Sequence, residues 1–214
     1  MELSIEIFNK LIHLIDDAKK NKNYEFEVRF WNKNNNLINE ENYKKIFQKF
    51  TFSKTNNGLE FNYIMKNILD VLLDNNVTEV DSGNIRMSIN GEADVKKYWI
   101  NPENNEIEKI FIEKEKLDKV DDNNYNLRFS LNNELPQNDL LNKNKQLLES
   151  NSYEKTYRFK NRYSIKTDDN LFLIDMSSIK MGHGKTFKES TTLKEPLKYE
   201  IEIEFIGKDS ELDN

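Results

Sequence analysis

The sequence predicts an α+β fold in which helices flank a mostly antiparallel sheet. Segments of alternating polar and apolar residues, which indicate strands, lie near both ends of the chain at 24–30 and 197–206. Turn-forming residues such as Asp121–Asn124 separate strands between them, which favours antiparallel neighbours. No repeat and no proline-rich linker interrupts the sequence, so we expect one domain over residues 1–214.

Apolar residues at helical spacing predict the helices. In the first helix, residues 3–19, the apolar face consists of Ile5, Phe8, Leu11, Ile12 and Ile15. Further helices are predicted at 41–50, 60–74, 92–99 and 137–149. The helix at 60–74 is predicted from an apolar stripe of Ile64, Ile68, Val71 and Leu72.

Alternation of side chains and flanking turn residues predict the strands. They lie at 24–30, 77–81, 84–90, 107–117, 125–132, 153–167, 171–181 and 197–206. The strands at 77–81 and 84–90 are expected to form a hairpin around Ser82 and Gly83.

The composition excludes several classes of protein. A net charge of −6 argues against a protein that coats nucleic acid through a basic surface, but it permits a local basic pocket. With Cys 0, disulfides, thiolate zinc sites and cysteine nucleophiles are excluded. No apolar run is long enough for a membrane helix, and acidic residues near the N-terminus argue against a signal peptide. We therefore expect an intracellular, cytoplasmic protein that does not bind membranes.

Charged residues share one face in several predicted strands, and in two of these strands they have a single sign. One face of the first strand carries Glu25, Glu27 and Arg29, and one face of the last strand carries Glu200, Glu202 and Glu204. The strand at 153–167 presents Arg158, Lys160 and Arg162 on one face. The ordinary alternative is a sheet with one solvated face, but solvated faces more often mix signs, because like charges side by side repel.

Arginine is also unevenly distributed. Lysine and arginine together number 32, yet the only arginines are Arg29, Arg86, Arg128, Arg158 and Arg162, all in predicted strands. Arginine binds phosphate through two parallel hydrogen bonds, whereas lysine acts as a point charge. Rows of carboxylates beside rows of cations would suit a closed sheet whose charged face encloses a polyphosphate and a hard cation, Mg²⁺ or Mn²⁺. The apolar face would then point outward, beneath the helices at 3–19, 41–50 and 60–74.

Four sequence motifs together resemble those of a known family. They are Glu25-x-Glu27, the basic segment YRFKNRYSI at 157–165, Asp175-x-Ser177, and YEIEIEF at 199–205. This combination resembles the triphosphate tunnel metalloenzymes, most closely the metal-dependent RNA 5′-triphosphatases in the N-terminal domain of the mRNA capping enzymes of large DNA viruses. The segment NIRMSINGE, at 84–92, is similar to the strand of that branch that carries a phosphate-binding arginine.

The resemblance implies a closed antiparallel barrel of eight strands with flanking helices, the triphosphate tunnel, in which Mn²⁺ or Mg²⁺ assists hydrolysis of a 5′-triphosphate. The implied metal ligands are Glu25, Glu27 and Glu204, supported by Glu200 and Glu202. The implied phosphate-binding residues are Arg29, Arg86, Arg128, Arg158, Lys160, Arg162, Asp175 and Ser177, with Lys114 or Lys116 as a further candidate. Arg128, Lys160 and Arg162 would act in catalysis, and Glu134 would orient the attacking water.

The sequence departs from the family pattern at one position, and the resemblance leaves alternative functions open. The family has an arginine where this chain has Leu173, so either another base replaces it or one phosphate contact is missing. The implied substrates are the 5′-triphosphate end of RNA and NTP, and the implied partners are guanylyltransferase and methyltransferase domains, in the host cytoplasm or the virion if the protein is viral. The chain would be the N-terminal part of such an enzyme. The alternatives are a tripolyphosphatase or other tunnel hydrolase, and a polyphosphate-binding module without activity.

Overall fold

The computed structural model describes residues 4–30, 38–55, 63–74, 85–136 and 142–207. The helices are α1 (Ile5–Lys20), α2 (Glu40–Thr55), α3 (Glu92–Ile100) and α4 (Asn142–Glu149). The strands are β1 (Tyr24–Phe30), β2 (Tyr63–Leu73), β3 (Ile85–Asn90), β4 (Lys109–Asp122), β5 (Leu127–Pro136), β6 (Lys155–Lys166), β7 (Phe172–Gly184) and β8 (Lys198–Phe205). A 3-10 helix, Thr192–Lys194, precedes β8.

The eight strands close into one barrel in the order β1-β5-β4-β3-β2-β6-β7-β8. Every neighbouring pair is antiparallel, and β1 closes the barrel by pairing with β8, where Glu27 lies opposite Glu204. The expectation of a closed, antiparallel, eight-stranded barrel with flanking helices is confirmed. Since paired residues share a face of the sheet, this register places side chains of distant segments side by side in the lumen.

The apolar core lies outside the barrel, between its outer face and the helices. Helix α1 packs Leu11, Leu14 and Ala18 against outward-facing residues of β1, β4, β5 and β8. Tyr43 of α2 packs over β7 and β8, and α3 and α4 cover β2 and β3. The strands therefore bury their apolar faces outward, which leaves their polar faces to line the lumen.

The apolar face of α1 differs from the predicted one. The buried residues are Leu11, Leu14 and Ala18, whereas Ile5 and Phe8 are 80% and 54% exposed. Ser4 caps the helix by accepting a hydrogen bond from the backbone N–H of Ile7 (3.2 Å).

The helix predicted at 60–74 is wrong, because Tyr63–Leu73 forms strand β2. Leu69, Val71 and Leu73 point outward into the core, and Leu72 faces the cavity in the lumen. A strand with apolar residues on both faces lacks the alternation of polar and apolar residues that predicts a strand, and the run ILDVLL fits helical spacing equally well.

Other boundaries shift. The predicted turn at Asp121–Asn124 is partly strand, since β4 continues to Asp122 and the turn follows. The predicted strand at 77–81 and its hairpin at Ser82 and Gly83 lie outside the described residues, as does the start of the helix predicted at 137–149.

Candidate active site

The barrel encloses a cavity of about 440 Å³ whose lining is almost entirely polar or charged. The lining residues are Glu25, Glu27, Arg29, Leu72, Arg86, Lys114, Lys116, Arg128, Ser130, Asn132, Glu134, Arg158, Lys160, Arg162, Asp175, Glu202 and Glu204. All but two of the residues proposed from the sequence therefore share one lumen. Ser177 and Glu200 are the two, and each bonds to an arginine that lines the cavity.

An acidic wall forms where β1 meets β8. Their register sets Glu27 beside Glu204 and Arg29 beside Glu202. Glu27 accepts hydrogen bonds from Arg29 (2.5 Å) and from the side-chain amide of Asn132 (3.1 Å), so its carboxylate is held in place. The same Arg29 guanidinium lies 3.3 Å from Glu202 and so bridges the two strands.

Lys114 of β4 lies among three carboxylates of this wall. Its ammonium contacts Glu25 and lies 3.3 Å from both Glu27 and Glu134. Burial raises the pKa of Glu25 to about 7; Lys114 opposes this shift, while Glu27 and Glu134 add to it by repulsion. Lys114 is shared among these three carboxylates, and a bound cation would relieve the repulsion of Glu25 by Glu27 and Glu134.

The donor chemistry of the acidic wall fits a hard divalent cation. Glu25, Glu27 and Glu204 offer only carboxylate oxygens, the ligands that Mg²⁺ and Mn²⁺ select. Within the part of the chain that the structure describes, no three acidic or histidine side chains already form a metal-binding group. Lys114 and Arg29 lie between the carboxylates and hold them by ion pairs.

A basic wall formed by β6 faces the lumen. Both terminal nitrogens of the Arg162 guanidinium pair with acids, Nη1 with Asp175 (2.6 Å) and Nη2 with Glu202 (2.9 Å). Its Nε donates to Ser177 (3.1 Å), so the orientation of the fork is determined on three sides. Arg158 donates from Nη2 to both carboxylate oxygens of Glu200, at 2.7 and 2.9 Å. These contacts preorganise two cations beside the cavity.

Two buried arginine nitrogens have no hydrogen-bond partner among the described residues. They are Nε of Arg29 and Nε of Arg86. Buried N–H groups are almost always paired, and leaving one unpaired costs about 1–3 kcal/mol. Since both side chains line the cavity, an anion or water in the lumen would satisfy them.

Three solved structures share this architecture. The mimivirus capping enzyme triphosphatase matches with a TM-score of 0.68 and 20% identity, over 98% of this chain and 93% of its own. The RNA triphosphatase domain of a trifunctional mimivirus mRNA capping enzyme matches with a TM-score of 0.65 and 23% identity, over 97% and 90%. A triclinic structure of the mimivirus capping enzyme triphosphatase gives a TM-score of 0.66 at 19% identity, over 97% and 91%.

This chain has the triphosphate tunnel fold. The likeness extends along nearly the whole chain, and the closed barrel of the described residues agrees with it. No protein-family model and no curated protein matches the sequence.

The tunnel contains a buried acid that the sequence analysis missed. Asp70 of β2, 2% exposed, pairs with Lys160 and accepts a hydrogen bond from Ser88 (2.7 Å). Burial opposes the charge of Asp70, but Lys160 and Arg86 outweigh it and lower its pKa. Burial lowers the pKa of Lys160 to about 8, so both partners are charged at neutral pH. Reading 63–73 as a strand would have placed Asp70 on the face opposite Leu69 and Val71.

Asp121 was also missed, because its segment was interpreted as a turn. It accepts two hydrogen bonds from Arg128, from Nε at 2.7 Å and from Nη2 at 3.0 Å. On the same strand as Arg128, Glu134 lies 3.8 Å from Arg86 of β3. The acids of the lumen thus orient arginines as well as forming the acidic wall.

Leu173, where the sequence departs from the family pattern, lies opposite Lys166 of β6 on one side and Glu204 of β8 on the other.

No described helix is long and apolar enough to cross a membrane.

Proposed function

We propose that this chain is an RNA 5′-triphosphatase, which hydrolyses the γ-phosphate of 5′-triphosphate RNA and accepts NTPs as well. The observation that carries this proposal is the enclosed lumen in which carboxylates of β1 and β8 lie close to arginines and lysines of β4, β5 and β6. The fold it shares with a mimivirus RNA triphosphatase domain supports the choice of substrate.

The acidic wall is the site proposed for the metal. Glu25, Glu27 and Glu204 would hold Mg²⁺ or Mn²⁺, supported by Glu202 and, through Arg158, by Glu200. When bound, the metal supplies positive charge to a γ-phosphate oxygen and polarises the phosphorus.

The protein's own cations bind the polyphosphate. Phosphoryl transfer needs alignment and neutralisation of charge more than covalent chemistry. Arg162, oriented by Asp175 and Ser177, presents a fork suited to phosphate oxygens. Arg29 and Arg86 have buried donors available, and Arg128, Arg158 and Lys160 contribute charge along the lumen.

Glu134 is proposed to orient the attacking water. It lies at the edge of the acidic wall, 3.3 Å from Lys114 and 3.8 Å from Arg86. Its carboxylate can accept a hydrogen bond from water while those two cations hold the side chain in place.

We also propose that residues 1–214 form the triphosphatase domain of a larger capping enzyme that acts in the cytoplasm of a host cell. Guanylyltransferase and methyltransferase domains would follow in the same or an associated chain. The trifunctional nature of the mimivirus enzyme with this fold supports this assignment.

The test measures γ-phosphate release from RNA, NTP and tripolyphosphate, each with and without Mn²⁺ or Mg²⁺. We expect metal-dependent release from RNA, and Glu27→Gln or Glu204→Gln should reduce it by at least about 100-fold while preserving the circular dichroism spectrum. Glu108→Gln, at an exposed position just before β4 and outside the cavity lining, is the control and should release phosphate at the parent rate.

The result also separates the alternatives. A preference for tripolyphosphate over RNA would assign the tunnel to a tripolyphosphatase. Binding of polyphosphate without release under any metal would indicate a binding module. Parental activity of Glu27→Gln would show that the metal assignment is wrong.

A further inference from the structure

One mouth of the tunnel is bordered by the β4–β5 hairpin. Within the described ranges, strand β4 pairs with β3 as far as Glu113, opposite Ile85 where β3 begins, and with β5 as far as Asp122. Residues 115–119 of β4 are exposed and residues 127–130 of β5 pair with β1, so this hairpin, here called the lip (residues 115–130), forms the barrel wall at this opening. The opposite mouth is where β6 ends at Lys166 and β7 begins, because neighbouring strands alternate in direction around the barrel.

The lip carries cations on the side that faces the lumen. Lys116 lies opposite Asn132, and Lys119 lies opposite Ser130. Asn132 and Ser130 both line the cavity, and directly paired residues share a face of the sheet. Val120, next along the strand, points the other way and is buried in the core beneath α1. Lys119 itself is exposed, which places it at the rim of the tunnel and not within it.

These two lysines differ from the cations deeper in the tunnel. Each of Arg29, Lys114, Arg158, Lys160 and Arg162 has a carboxylate partner. Across the described ranges, neither Lys116 nor Lys119 has a carboxylate within ion-pair distance.

The acids of the lip do not pair with these lysines. Asp121 pairs with Arg128, Asp122 accepts a hydrogen bond from the backbone N–H of Asn124 (2.8 Å), and Glu115 and Asp118 lie on the outward face of β4. On the face toward the lumen, Lys116, Lys119 and Arg128 therefore outnumber Asp121, and burial, followed by repulsion from Arg128 and Lys119, lowers the pKa of Lys116. Lys116 and Lys119 of the lip can therefore bind an anionic group of another molecule.

We propose that the lip binds the first internucleotide phosphates of an RNA whose 5′-triphosphate lies in the lumen. This inference rests on the proposed function and gives the tunnel a direction: the RNA chain leaves past Lys119, not past Lys166. A free NTP or tripolyphosphate has no phosphate beyond the lumen, so the lip distinguishes polynucleotide from small substrates. Since the protein as a whole is acidic, with a net charge of −6, the lip would supply a local attraction for the RNA.

The experiment compares Lys119→Ala with Lys166→Ala, which removes an exposed lysine at the other mouth. Binding of a 5′-triphosphate pentanucleotide is measured by fluorescence anisotropy at several salt concentrations, and phosphate release is measured on the same RNA and on tripolyphosphate. Lys119→Ala should weaken RNA binding about threefold near 0.1 M salt. It should also reduce the slope of log affinity against log salt by about 0.7, as expected for the loss of one phosphate contact on a single strand. Tripolyphosphate hydrolysis should be unchanged.

The outcomes test the RNA contact at the lip and the proposed triphosphatase activity separately. Equal RNA binding and equal salt slopes for Lys119→Ala and the parent would overturn the inference, even if RNA is hydrolysed. A larger loss in Lys166→Ala would overturn the proposed direction. If the parent releases no phosphate from RNA, the proposed function fails, while a selective loss of RNA binding in Lys119→Ala would still support the lip as an RNA contact.

Discussion

Replacing Asp70 by asparagine removes one charge from a buried ion pair in the barrel wall. Asp70 and Lys160 are 2% and 4% exposed, so water cannot take the place of either partner when the other is removed. Asparagine keeps the shape and still accepts the hydrogen bond from Ser88. Breaking such a pair from one side costs about 3–5 kcal/mol of unfolding free energy.

The response of Lys160 sets an upper limit to this loss. Instead of remaining charged and unpaired, the lysine can lose its proton. At pH 7, deprotonation of a lysine whose pKa in the unfolded chain is about 10.4 costs about 4.6 kcal/mol. We therefore expect Asp70→Asn to lose about 3–4.6 kcal/mol at pH 7. Lys160 of the variant would be neutral, whereas that of the parent has a pKa of about 8 and loses half of its proton by pH 8, so the stability difference should narrow by about 1 kcal/mol between pH 7 and 8.

The assay is urea unfolding followed by circular dichroism, applied to Asp70→Asn, Lys160→Met and the double variant. Lys160→Met keeps the apolar stem and removes the ammonium. A coupling energy of at least about 2 kcal/mol is expected, since the double variant leaves no unpaired charge. A coupling energy below about 0.5 kcal/mol, or a stability difference that does not change with pH, would refute the reasoning.

Three further predictions follow from other parts of the structure. Binding of tripolyphosphate, measured by calorimetry, should weaken as the pH rises through about 8, because Lys160 then loses its proton, and Lys160→Met should lack this step. Arg162→Lys keeps the charge but loses the fork, so kcat/KM for triphosphate should fall about tenfold; an unchanged value would show that only charge matters there. Gly182→Ala would bring a Cβ to 2.3 Å from the carbonyl oxygen of Ser190, so its unfolding free energy in urea should drop by about 1–3 kcal/mol, and parental stability would contradict this.

Alternation was the most informative signal in the sequence. It predicted β1 with the bounds that the structure has, Tyr24–Phe30, because one face of that strand lines a polar lumen and the other meets the core. The same signal placed Glu202 and Glu204 on one face of the last strand, and both line the cavity. Where the two faces of a strand meet different environments, period two is visible in the sequence and identifies the inward side chains.

Alternation failed where both faces are apolar or where the local residues resemble a turn. Strand β2 was interpreted as a helix, since its apolar residues also fit helical spacing, and Asp70 was missed with it. Asp121 was assigned to a turn because a run of Asp and Asn favours one, although pairing with β5 extends the strand through it.

For the strands that it identified, the sequence by itself determined which side chains share a face wherever the two-residue period is unbroken; the bulge at Lys116–Asp118 of β4 interrupts that period. The tertiary structure decided which of these faces meet. Glu27 lies beside Glu204, and Lys160 finds Asp70, only because β1 closes on β8 and β2 inserts between β3 and β6. These are pairings between distant segments, whose register depends on closure of the whole barrel and on helices packed around it, and local residue patterns carry no information about either.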